Sequence, residues 1–151
     1  MKNFFLNIKN KILQKKIDNS LNLLVNKNRK FKMPVKKIGF IVDSELDIDY
    51  LDIVSLSENI GLKEKDIKVV SYSKTIFNDP FYKMRVSDNS INFFGNINSA
   101  DANEFISYNY DLLINYFGKN KTLSLISSRC NANFRVGFDI SNQKLNDIIF
   151  K

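Results

Sequence analysis

Apolar side chains recur near the start of the chain at Phe5, Ile8, Ile12, Leu13, Ile17, Leu21 and Leu24, with Lys9, Lys11, Lys15 and Lys16 mostly between them on the other side. Steps of three to five residues place such a set on one helical face, so the spacing predicts an amphipathic helix over 3–26. Asn19-Ser20 is a point of interruption, and the polar run from Asn26 to Lys32, with Pro34 behind it, predicts a connector. The apolar stripe either packs on the rest of the chain or meets a membrane surface or a docking partner.

At Lys36-Lys37-Ile38-Gly39-Phe40-Ile41-Val42-Asp43 the period collapses into a nearly continuous apolar run. A strand buried on both faces of a parallel sheet reads this way. A helix follows over 47–62, with Ile48, Leu51, Val54 or Ser55, and Leu56 on its inner side and Gly61 as its left-handed stop. Ile67, Val69, Val70 and Tyr72 then supply a second strand, completing a βαβ unit.

Residues 74–89, with Phe77, Phe81, Tyr82 and Met84 around Asn78-Asp79-Pro80, predict a loop or partly extended excursion, and Ser90 to Gly95 a short edge strand. Ser99 caps a helix over 100–107, with Asp101 and Glu104 near its positive end. Strand, helix and strand return over 110–117, 122–129 and 134–138, and Ile148-Ile149-Phe150 is a last apolar run. Alternation of this kind predicts an α/β three-layer sandwich with a mostly parallel sheet, preceded by a basic amphipathic N-terminal helix. The divisions expected are helix and connector over 1–33 and one domain over 34–151.

Charge sharpens this division. The first 37 residues carry eleven Lys or Arg and one acid, Asp18, a net of +10; the other 114 carry twelve basic and fifteen acidic side chains, a net of −3. Lys outnumbers Arg 19 to 4 in a chain rich in Asn and Ile, the bias of AT-rich codons. That bias explains abundant lysine but not its asymmetry. Lys9, Lys11, Lys15, Lys16, Lys27, Arg29, Lys30 and Lys32 are therefore the candidate contacts for an anionic partner: RNA, a ribosome or an anionic membrane surface. Aromatics interleaved with cations at Lys74, Phe77, Phe81, Tyr82, Lys83 and Arg85 lean toward nucleic acid.

No apolar run approaches the roughly 20 residues of a membrane span, and Asn3, Asn7, Lys9 and Asn10 interrupt the apolar stretch a secretion signal needs. A cytoplasmic setting is expected. With one cysteine, Cys130, and no histidine, neither an intramolecular disulfide nor a structural zinc site is expected. The five glycines are scattered at 39, 61, 95, 118 and 137, so neither a dinucleotide nor a phosphate-binding loop motif can be written. No cofactor is expected.

The runs KKIGFIVDSE, Ile60 to Val70, YDLLINYF, ANFRVGF and LNDIIF together resemble a small bacterial family of domains of unknown function, over about residues 10–151. The resemblance implies a Rossmann-like fold and transfers no catalytic residue. It also implies a helix beyond the last strand, relative to which this chain is short. Residues 110–138 alone are similar to the strand, helix and strand in the N-terminal half of heptose-transferring glycosyltransferases. Those enzymes hold their donor with a second such domain, so the likeness implies fold alone.

Two places invite a ligand. Asp43-Ser44-Glu45 ends the first strand, where open α/β sheets bind, and carboxylates there suit Mg²⁺ or a sugar hydroxyl; the same residues also suit helix capping. Asn115, Gly118, Lys119, Asn120, Lys121 and Thr122 follow a later strand, where a helix N-terminus meets an anion or the chain forms an ordinary loop. If those strands are neighbours, Asp43, Ser44, Asn115, Gly118 and Thr122 share one crevice. The expectation is a non-catalytic binding or accessory module acting through the basic helix, the alternative a small-molecule-binding or enzymatic domain using the crevice. No catalytic residue and no metal ligand is assigned, and Cys130 is expected to be a small, half-buried thiol.

Overall fold

The apolar runs become neighbouring strands of one sheet. The computed structural model describes residues 1–27, 29–75, 83–138 and 141–151. Six strands, β1 (Ile38–Asp43), β2 (Ile67–Tyr72), β3 (Met84–Val86), β4 (Asn109–Tyr116), β5 (Asn131–Phe138) and β6 (Ile148–Phe150), lie in the order β3-β2-β1-β4-β5-β6. Every neighbouring pair is parallel. Around them pack α1 (Lys2–Val25), α2 (Tyr50–Asn59), α3 (Ala100–Ser107) and α4 (Lys121–Arg129). This is the expected α/β, Rossmann-like architecture, and the strand order reverses between β1 and β4, opening a crevice at their carboxyl ends.

Strand alternation sorts the core into two layers. Ile41, Val70, Tyr72 and Leu113 face α1, α3 and α4, together with Phe105, Leu123, Leu125 and Ile126. Ile38, Phe40, Val42, Ile67 and Val69 face α2 through Ile53. α1 belongs to the first layer: Leu13, Ile17, Leu21 and Leu24 are buried in it. Ser20 does not break this helix, because its hydroxyl turns inward and accepts from Arg129 Nε at 3.0 Å. The connector then returns to the sheet where Asp111 of β4 accepts from the Lys36 and Lys37 backbone N–H groups at 2.8 and 3.0 Å.

Local signals act as their chemistry requires. Asp49 caps α2 by accepting from the Leu51 N–H, and Ser99 caps α3 by accepting from that of Ala102. Gly61, at φ +84°, takes the left-handed turn that ends the helical segment.

Three expectations are corrected. Ser90 to Gly95 is not a strand: Asp88–Ser90 forms a 3-10 turn, and Gly95 at φ +73° reverses the chain so that Ile91 bridges Ile97. The sheet edge is instead β3, within the stretch read as a loop. α2 buries Ile53 and Ser57, whereas Leu51 and Leu56 stay exposed, so its inner face is rotated from the expected one. Leu56 instead lines an apolar groove with Phe31, Phe134, Phe138, Ile148 and Phe150, on the sheet face that α2 covers only in part. Phe77, Asn78, Asp79, Pro80, Phe81 and Tyr82 lie outside the described residues. Among the described residues, no helix is long and apolar enough to cross a membrane.

Candidate functional site

At the carboxyl ends of β1, β2 and β4 lies a crevice of about 550 Å³, walled on one side by Leu6, Lys9, Asn10 and Leu13 of α1. Asp43, Gly118 and Thr122 line it as the sequence predicts, joined by Glu45, Tyr72, Lys74, Asp88 and Asn120. Asp43 ties the end of β1 to the start of α4: one carboxylate oxygen accepts from the Glu45 N–H at 3.1 Å, the other from Asn120 Nδ2 at 3.4 Å. Ser44 is exposed on the turn and is not among the lining residues.

Asn115 is the misplaced candidate. It lies level with Ile41, two residues deeper in the sheet than Asp43, and is wholly buried beneath α4. Its Nδ2 donates to Asn146 at 2.7 Å and its Oδ1 accepts from the Ser127 hydroxyl at 2.8 Å. Ser127 in turn accepts from Arg135, which has no exposed surface. Asn115 therefore belongs to a buried polar network and not to the crevice. Gly137 is part of this packing, since a Cβ there would collide with the Asn146 and Ser141 side chains.

The residue that the sequence concealed is Asp88. Its Oδ1 accepts from the Tyr72 hydroxyl at 2.9 Å and from Thr122 Oγ1 at 3.0 Å, joining β2 to α4 across the crevice floor. Burial, and then the bond to Asp88, push the Tyr72 phenol upward, so it remains a neutral donor. Asp88 sits in a polar run, Ser87-Asp88-Asn89-Ser90, that reads as turn chemistry alone.

Asn120 accepts from the Leu123 N–H at 3.0 Å and so caps α4. Of the two readings of this stretch, anion site or ordinary loop, the side-chain cap favours the ordinary loop. Lys74 and Glu45 pair at 3.3 Å with both side chains exposed, a contact worth at most about 1 kcal/mol. Among the described residues, no group of three or more Asp, Glu, Cys or His side chains is arranged to hold a metal ion. The arrangement offers hydrogen-bond donors and acceptors of mixed charge, with the Asp88 carboxylate shared by the Tyr72 and Thr122 hydroxyls.

The basic candidates divide into two sets. Lys9 donates to the Ile91 carbonyl at 2.9 Å and Lys16 to the Asn96 side chain, so both fasten α1 to the 91–96 turn. Arg29 pairs with Asp147 at 3.1 Å. Lys11, Lys15, Lys27, Lys30 and Lys32 are exposed. Lys11 and Lys15 stand one turn apart on α1, and Lys27, Lys30 and Lys32 form a second group beyond its last residue, Val25.

Cys130 is buried more deeply than expected, and burial pushes its thiol up to about 12 against the partial relief of a nearby guanidinium. That guanidinium belongs to Arg135.

No curated protein and no solved structure matches the chain, and the likeness of residues 110–138 to heptose-transferring glycosyltransferases is unsupported. A family model does match, over the buried part of α1 and every strand of the sheet. The chain belongs to a family of unknown function (DUF6913), whose model spans residues 9–151.

Proposed function

We propose that the chain is a non-catalytic binding or accessory module that contacts an anionic partner through exposed cations of α1 and the connector. The observation that carries this reading is the orientation of α1. Its inner face is held in the core by Leu13, Ile17, Leu21 and Leu24, while Lys11 and Lys15 are exposed. The ammonium groups of Lys11, Lys15, Lys27, Lys30 and Lys32 make no hydrogen bond or ion pair among the described residues. Lys11 and Lys15 are held on the helix with Asp18 as the one acid of α1, and Lys27, Lys30 and Lys32 follow on the connector; such an excess of cations concentrates positive potential and draws polyanions such as RNA, ribosomal surface or anionic lipid. A cytoplasmic setting belongs to this reading, in keeping with a single buried thiol.

The test is charge reversal at Lys11, Lys15, Lys27 and Lys30 to Glu, all at exposed positions. The native chain should be retained on an immobilised polyanion at moderate salt and the variant should pass through. Equal retention of both would overturn the reading.

A second reading concerns the crevice, because Asp43, Gly118 and Thr122 meet in one cavity at the reversal of strand order, where open α/β sheets bind ligands. Its mixed lining suits a polar metabolite. A thermal-shift screen against nucleotides, nucleotide sugars and sugar phosphates tests it: a stabilising hit abolished by Asp43→Asn supports this reading, and no hit rejects it.

A further inference from the structure

We propose that the anionic partner is a lipid bilayer, entered by the phenylalanines at the first turns of α1 and the adjoining 93–94 turn, with Lys11 and Lys15 against the headgroups. This rests on the reading that the cations of α1 meet an anionic partner, and it adds a role for exposed aromatic surface. Lys2 to Asn7 are all exposed, so the first turns of α1 are not covered by the body. Phe4 is 65% and Phe94 67% exposed. The rings form a chain: Phe4 to Phe5 at 5.9 Å, Phe5 to Phe93 at 6.4 Å and Phe93 to Phe94 at 5.7 Å. Two segments far apart in sequence thus build one apolar patch, held together where Lys9 and Lys16 fasten the 91–96 turn to the helix.

The lysines are placed to share a surface with the Phe4 end of that patch, while Phe5 and the 93–94 turn lie round the helix toward Lys9 and Lys16. Phe4, Lys11 and Lys15 stand at i, i+7 and i+11, which puts them on one side of the helix, opposite Leu13, Ile17 and Leu24, with Asp18 as the single carboxylate on that side. An apolar end continuing into a cationic flank is the arrangement with which a surface helix lies in the interfacial layer of an anionic membrane. A second copy of the chain would set Lys11 and Lys15 near their own like charges with one carboxylate, Asp18, to offset two cations. RNA fits less well too: base stacking needs open ring faces, and these rings meet edge to face at 74°, 65° and 89°.

The chain has no tryptophan, so Phe94→Trp makes a single reporter. With vesicles of phosphatidylcholine containing about one-third phosphatidylglycerol, emission of the otherwise native chain should shift to the blue and be quenched by brominated acyl chains. Pure phosphatidylcholine should give neither effect. Phe4→Ser with Phe93→Ser in the native background should lower partitioning onto the anionic vesicles at least tenfold while leaving retention on the immobilised polyanion unchanged. Lys11→Glu with Lys15→Glu should lower both, by more than roughly fivefold per lysine for vesicles, since each reversal also adds a repelled anion. Polyanion retention without a blue shift on anionic vesicles overturns the bilayer assignment and leaves the proposed function standing. Loss of neither retention nor partitioning on charge reversal overturns both.

Discussion

Arg135 Nη1 donates to the Ser127 carbonyl oxygen at 2.7 Å, within a strand residue that has no exposed surface. Its Nη2 donates to the Cys130 carbonyl at 2.6 Å. Both acceptors belong to the C-terminal end of α4, where unpaired carbonyls carry partial negative charge. A buried cation is therefore held by a helix terminus, and burial lowers its pKa to about 10, still charged at neutral pH.

Replacing Arg135 with Met should destabilise the fold by about 3 kcal/mol, because two buried carbonyls lose their donors. Arg135→Lys should recover only part of the loss, since an ammonium does not reproduce the planar fork. Urea unfolding of the three proteins measures this. A Met variant as stable as the native chain would show that the network is not structural.

Much of the fold is legible because β1, β2, β4 and β5 are short apolar runs and Ser99 marks the start of a helix, whereas the caps at Asp49 and Asn120 emerge only in the structure. β3 is not legible: three residues with one outward Arg85 carry no periodicity. At the site, strand-end position marks Asp43, Gly118 and Thr122. It misplaces Asn115, because an Asn at the end of a strand reads as loop chemistry until its level against Ile41 is known. Arg135 leaves a signal in retrospect, a cation inside an apolar run, but its partners lie on α4 and are fixed only by packing.

Alkaline stability should first fall near pH 9. The Cys130 thiol has a folded pKa of about 12 against an ordinary value of 9.0, so above pH 9 the unfolded chain releases a proton that the folded chain keeps. Stability is complete below pH 9 and declines toward pH 12, by at most about 1.4 kcal/mol per pH unit from this group. Tyr72 and Tyr110, also raised by burial, add the same sign above pH 10, and Arg135 opposes them there. Unfolding free energies between pH 8 and 10 test the thiol alone: Cys130→Ala should flatten the slope. An unchanged slope would contradict its burial.

Ile17→Ala or Leu21→Ala should each cost about 2–5 kcal/mol, as for large side chains removed from a core. For the same reason, deleting residues 1–30 should leave the body unfolded or molten instead of releasing a free domain. Retained cooperative melting of the truncated chain would show that α1 is dispensable to the core.

Asp88→Ala leaves the Tyr72 and Thr122 hydroxyls without their shared acceptor and should cost about 1–3 kcal/mol in thermal or denaturant unfolding. No turnover should appear when the native chain is incubated with nucleotides, nucleotide sugars and phosphoesters, with or without Mg²⁺. A turnover abolished by Asp43→Asn would instead make the crevice an active site.

The central claim, that exposed lysines of α1 and the connector carry an anionic contact, is tested most directly by affinity as a function of salt. Binding to a single-stranded RNA and to anionic vesicles is measured from low to physiological ionic strength for the native chain and for the variant reversed at Lys11, Lys15, Lys27 and Lys30. The account predicts that the native chain binds at least one of them with affinity falling steeply with salt. On RNA the logarithmic slope should lose about 0.7 for each cation that the reversal removes from a phosphate. Native binding that ignores salt, or identical slopes for the two proteins, would contradict it.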